Sequence, residues 1–105
     1  MIKVQIIEKL FSENKIVSIV VEGHSNYAKS GNDIVCAGVS SVLNVVVNHI
    51  DDTNAKIDIK SGFTSIIYEK EPSERDNFLM NCFKDYILDV EKRYNKNIRV
   101  NIKTL

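Results

Sequence analysis

Gly23-His24-Ser25-Asn26-Tyr27-Ala28-Lys29-Ser30-Gly31-Asn32-Asp33-Ile34-Val35-Cys36-Ala37 is the stretch on which the reading of this 105-residue chain turns. Before it, residues 2 to 10 and 16 to 22 are rich in Ile and Val and separated by Ser12-Glu13-Asn14-Lys15, the pattern of an antiparallel hairpin with a polar turn. Within it, Gly, Ser, Asn and Lys dominate residues 23 to 33, which predicts a loop of about ten residues, a length often tied to function in a small domain. After it, Val35, Val39, Val42, Leu43, Val46 and Ile50 recur in helical steps, so residues 34 to 51 are predicted as a helix with Asp33 as its carboxylate N-cap.

That helix is heavily β-branched, so burial rather than local propensity must hold it. Val45 and Val47 widen its apolar surface beyond one stripe, which suggests cover from the sheet on one side and from a second subunit on another. Beyond Asp51-Asp52-Thr53-Asn54, the alternation Lys56-Ile57-Asp58-Ile59-Lys60, a tight Ser61-Gly62 turn and an apolar run over 63 to 69 form a second hairpin. Pro72-Ser73 closes that strand. Residues 74 to 95 read as a long helix with Leu79, Phe83, Tyr86, Val90 and Tyr94 along one side, and 98 to 103 as a last strand carrying Ile98, Val100 and Ile102 on one face. The order ββαββαβ predicts an α+β fold, a single domain over 1–105 with a mixed, mostly antiparallel sheet and two helices packed against it.

A chain of this size supports one two-layer core and no deep internal active site, so its site should be a surface groove. Fourteen basic and fourteen acidic side chains cancel, which gives no general pull toward nucleic acid or anionic lipid. No apolar run approaches the roughly 18 residues that cross a bilayer, and no signal peptide opens the chain, so no membrane association is expected. Cys36 and Cys82 have no framework spacing, and reduced thiols in a cytosol are the simpler reading.

With Asp33 as cap, Cys36 falls in the first helical turn, where unpaired backbone N–H groups favour a thiolate while the neighbouring carboxylate opposes it. A free cysteine in an apolar helix is most often a small buried hydrophobe, and Cys82, among Phe78, Leu79 and Phe83, receives that reading. Cys36 differs because the polar loop before it begins at His24, and a loop of that length can bring imidazole and sulfur within reach of each other. A strand-end histidine alone is usually structural. His49 is a poorer partner, since thirteen residues beyond Cys36 it lies near the opposite face of the helix. Ser40 sits one turn beyond Cys36 on the same face, although a serine hydroxyl more often packs onto its own backbone. Two potential ligands fall short of a zinc set, so no metal and no cofactor are expected.

At these residues the chain resembles the ribosomal-processing cysteine protease family, Prp. The resemblance runs nearly end to end and rests on Gly23-His24-Ser25, Ala28, Gly31, Asp33-Ile34-Val35-Cys36-Ala37-Gly38-Val39-Ser40 and Asn97-Ile98-Arg99. It implies a cytoplasmic, homodimeric endopeptidase that removes an N-terminal extension from a large-subunit ribosomal protein precursor. It also implies a catalytic dyad of His24 and Cys36, supported by Gly23, Gly31, Asp33 and Ser40. Cys36 would attack the scissile carbonyl and His24 would protonate the leaving amine, with residues 25 to 32 ordering around an extended peptide. Backbone amides at the helix start would serve as oxyanion donors, though Asp33 competes for that of Cys36. The rival readings are a non-enzymatic ribosome-assembly module and a small RNA-binding domain; the charge balance and the lack of an aromatic RNP-like strand argue against RNA.

Overall fold

The computed structural model describes residues 1–24 and 33–105. The expected loop over 23–33, its ordering around a peptide and the expectation for Gly31 fall on residues 25–32, outside the described residues. Five strands, β1 (Ile2–Leu10), β2 (Asn14–Glu22), β3 (Ala55–Lys60), β4 (Phe63–Tyr68) and β5 (Ile98–Thr104), form one sheet in the order β3-β4-β2-β1-β5. β1 and β5 run parallel and the other three pairs antiparallel, so the sheet is mixed as the element order predicted. The helices α1 (Ile34–Val47) and α2 (Glu74–Arg93) complete the order ββαββαβ.

Alternation decides which strand residues meet the helices. Ile2, Val4 and Ile6 of β1 are buried, and Lys3 and Gln5 between them are exposed. A bulge between Ile7 and Glu8 leaves Val17 as an extra residue on β2, which allows Ile16 to be buried along with Ile19 and Val21 despite the change of parity. Beyond the bulge Glu8 meets Lys84 of α2 at 2.9 Å. The sheet's helix-facing residues join Val35, Val39, Leu43 and Val46 of α1 and Met80, Phe83, Ile87 and Val90 of α2 in one core.

Several boundaries move from the sequence reading. α1 ends at Val47, four residues short of 51, with Asn48 as its C-cap. The chain then turns, and Asp51 Oδ1 accepts from both the amide and the hydroxyl of Thr53 at 2.9 and 2.7 Å. β2 starts at Asn14 rather than residue 16, and α2 stops at Arg93 rather than residue 95. The buried stripe of α2 is Asp76, Met80, Phe83, Ile87 and Val90; Leu79, Tyr86 and Tyr94 lie half-buried on its flanks. Cys82 is exposed, correcting the expectation of a buried hydrophobe. Two residues past Met80, it is turned about 200° from the buried stripe, beside exposed Phe78.

Asp76 ties three elements together. It is 2% exposed, and its Oδ2 accepts from the Tyr68 hydroxyl and from the Asp51 amide, each at 2.9 Å. Its own amide donates to the Ser73 cap. Asp76→Ala leaves the buried Tyr68 hydroxyl and the partly buried Asp51 amide without this acceptor, and should cost about 2–4 kcal/mol in a urea unfolding measurement. Burial, first, and then the Asp76 carboxylate push the Tyr68 phenol well above its ordinary range. A raised folded-state value means that stability is intact below pH ~10 and falls as pH rises beyond it, because only the unfolded phenol ionises there. Tyr68→Phe should flatten this alkaline loss in Tm measured against pH.

Candidate active site

The site is assembled from two independent supports. The first is the sheet edge where β2 ends. Gly23 has φ +95, and a Cβ there would collide with the Met1 carbonyl oxygen, so only glycine lets β2 turn off beside the first strand. Its amide donates to the Gly62 carbonyl at 2.9 Å, joining the end of β2 to the Ser61-Gly62 turn of the second hairpin. Gly62 has φ +69, and His24 lies over it: a Cβ on Gly62 would stand 3.0 Å from His24 Nε2 and 3.4 Å from Cε1. The imidazole therefore rests on the hairpin tip because residue 62 has no side chain.

The second support is the start of α1. Asp33 adopts extended geometry (φ −83, ψ 94), and its Oδ1 accepts from the amides of Val35 and Cys36 at 3.0 Å each, the cap predicted from sequence. The Ala37 amide donates to the Asp33 carbonyl at 3.1 Å. Cys36 is half-buried against the core, and Ser40 follows one turn later, exposed.

Between the supports runs a groove of about 300 Å³ lined by both His24 and Cys36. One flank is the α1 face carrying Cys36, Ser40, Asn44 and Val47; the other is the β3–β4 hairpin from Ile59 to Thr64. Its floor is apolar, with Val21 and Leu43 beneath and Ile59, 58% exposed, at the rim. Gly23 lines it too, whereas Asp33 acts from behind through its cap. A groove with this lining can hold a peptide segment against a thiol and an imidazole.

His49 is elsewhere: its Nδ1 pairs with the Val45 carbonyl at 2.7 Å on the exposed side of α1. Among the described residues no three His, Cys, Asp or Glu side chains gather as a metal site. Asn44, Ile59, Lys60 and Gly62 line the site without having been picked out from sequence. Ser61-Gly62 was legible as a turn, but nothing local tied it to His24.

Residues 1–99 match the family model described as cysteine protease Prp. The ribosomal processing cysteine protease Prp of Staphylococcus aureus is 29% identical over 96 residues, which span 87% of this chain and 91% of that protein. A crystal structure of the S. aureus protease with a covalently linked product peptide superposes with a TM-score of 0.84 at 28% identity, covering 98% of this chain and all of the other. The same protease with a substrate peptide gives 0.78 at 27% identity, over 98% of this chain and 100% of that one. SMU.848 from Streptococcus mutans shares the fold at 21% identity, with a TM-score of 0.78 over 100% of this chain and 96% of its own. The match over nearly the whole sequence and the shared architecture make one conclusion plain: this chain belongs to the Prp family of cysteine proteases.

Proposed function

We propose that residues 1–105 act as one protease domain that trims the N-terminal extension of a large-subunit ribosomal protein precursor in the cytoplasm, using Cys36 as nucleophile and His24 as acid and base. The observation that carries this reading is that the two side chains, on separate elements, line one open groove. The named activity of the S. aureus relative, ribosomal processing, supports the choice of substrate.

In the proposed reaction the Cys36 thiol gives its proton to His24 and the sulfur attacks the scissile carbonyl carbon, whose carbonyl electrons move onto oxygen. As the tetrahedral species collapses, the C–N bond breaks and His24 gives its proton to the leaving amine. The acyl group remains on sulfur as a thioester. A water molecule, losing a proton to His24, then attacks that carbonyl and releases the carboxylate product and the thiol.

Oxyanion stabilisation constrains the reading further. The amides of Val35, Cys36 and Ala37 all donate to Asp33, so the helix start offers none of these three to a developing oxyanion. Donors in this segment would come from residues 31 to 34, which makes Gly31 a supporting residue in the proposal. Asp33 orients the cysteine-bearing turn, Ser40 borders the substrate channel, and Gly23 turns the chain so that His24 reaches the hairpin. We also propose a homodimer. Ile34 and Val45, 60% and 56% exposed on the solvent side of α1, supply apolar surface for such contact.

Cys36→Ala should reduce trimming of an extended ribosomal-protein precursor to background, and wild-type protein mixed with that precursor should yield an adduct of acyl-fragment mass by rapid-quench mass spectrometry. Continued trimming by the alanine variant would end the thiol mechanism. Gly62→Ala places a left-handed backbone under roughly 1–2 kcal/mol of strain and presses a methyl group on the imidazole. It should lower kcat by roughly 10–100-fold, with displaced His24 ring resonances in NMR.

A further inference from the structure

At about 100° per residue the three faces of α1 are distinct. Val35, Val39, Leu43 and Val46 point into the core, and the Cys36–Ser40–Asn44–Val47 flank borders the groove. Gly38 lies on the opposite flank, toward α2. A Cβ on Gly38 would overlap the Tyr86 hydroxyl oxygen, while Tyr86 Cζ would stand at 3.7 Å, an ordinary contact. The clearance between the helices at this point is therefore set by a single oxygen atom.

We propose that Tyr86 is a positioning residue, whose hydroxyl against the bare Cα of Gly38 fixes how far α1 stands from the groove's hairpin wall and so where Cys36 meets His24. The inference rests on the His24–Cys36 reading. α2 is the fixed partner: Phe83 and Ile87 are fully buried, Lys84 pairs with Glu8 at 2.9 Å, and Glu91 accepts from the Val100 amide at 2.7 Å. α1 rests on the sheet through apolar contacts, which have no directional preference and allow small lateral shifts. His24 belongs to the sheet and hairpin and does not follow such a shift. Tyr86 is half-buried against the core, and burial raises its phenol above the ordinary range, so the group at the contact stays neutral.

The test uses Gly38→Ala and Gly38→Ala/Tyr86→Phe in a Cys82→Ser background, with kcat and KM on a precursor peptide and the iodoacetamide alkylation rate of Cys36. Gly38→Ala should lower kcat by roughly 10–100-fold, the loss expected for a misplacement of about 1 Å, with KM nearly unchanged and alkylation slowed in parallel. Removing the phenol oxygen in the double variant should restore kcat to within roughly threefold, since the methyl then meets only the ring edge. Wild-type kcat in Gly38→Ala, or a folded double variant without recovery, would overturn the inference. Should Gly38→Ala not fold, Tyr86→Ala, which lets α1 settle toward α2, must lower kcat at constant KM, and wild-type kcat there is equally fatal. Cys36→Ala is run alongside. If it remains active the dyad reading fails, whereas an inactive Cys36→Ala beside an unaffected Gly38→Ala removes only the role of Tyr86.

Discussion

The lateral position of α1 on the sheet is the constraint from which the rest of this structure follows. Its residues are poor helix formers, with Val at 35, 39, 42, 45, 46 and 47, and a helix of this composition holds only where its apolar face is buried. Burial of Val35, Val39, Leu43 and Val46 supplies that hold, but apolar contact has no directional preference and does not by itself choose a lateral position. On one flank it meets α2, with Gly38 against the Tyr86 hydroxyl, and on the other it borders the open channel. The channel exists because α1 stops short of covering β3, and exposed Ile59 at its rim marks the uncovered part of the sheet.

What was legible in the sequence was local. The Asp33 cap, the alternation of β1 and the stripe of α1 arise from interactions within a few residues, and each stands in the structure as the residue pattern required except that Val42 is only half-buried. Burial of Ile50 was legible too, although the helix ends before it, because an apolar residue can reach the core from a turn. The misreadings came from tertiary choices. Along α2 the aromatic series through Leu79 and Tyr86 competes with a series through Met80 and Ile87 only one residue away, and packing on the sheet selects the second. Cys82 goes to solvent as a direct result. The nearness of Gly62 to His24 spans 38 positions and depends on β2 pairing with β4, which no local pattern encodes.

The polar interior has its own logic. Among the described residues no buried side-chain nitrogen or oxygen lacks a partner. Lys15, itself buried, donates to the Pro72 carbonyl at 2.8 Å and pairs with Glu71 at 2.9 Å, and the Asp76 carboxylate accepts from the Tyr68 hydroxyl and the Asp51 amide. Both clusters lie near the entry to α2, where the chain leaves β4 and must reverse onto the helix layer. Directional bonds there hold α2 in register with the sheet, which apolar contacts alone do poorly. The firmness of α2 in turn gives α1 a fixed edge to lean on.

On the proposed chemistry, the division of the site between two supports has a consequence for the enzyme's working. A nucleophile and a base on one rigid element would keep their separation whatever the substrate did. Here the imidazole is held on the sheet side through Gly23 and Gly62, and the sulfur is carried by a separate element, a helix packed on the core through apolar contacts. In that reading a peptide filling the groove touches both flanks at once, so binding energy from side chains remote from the scissile bond can be spent on the separation of sulfur and imidazole. Truncated peptides that fill less of the groove then lose turnover as well as affinity, because the same contacts that hold the substrate also set the distance over which the proton must pass.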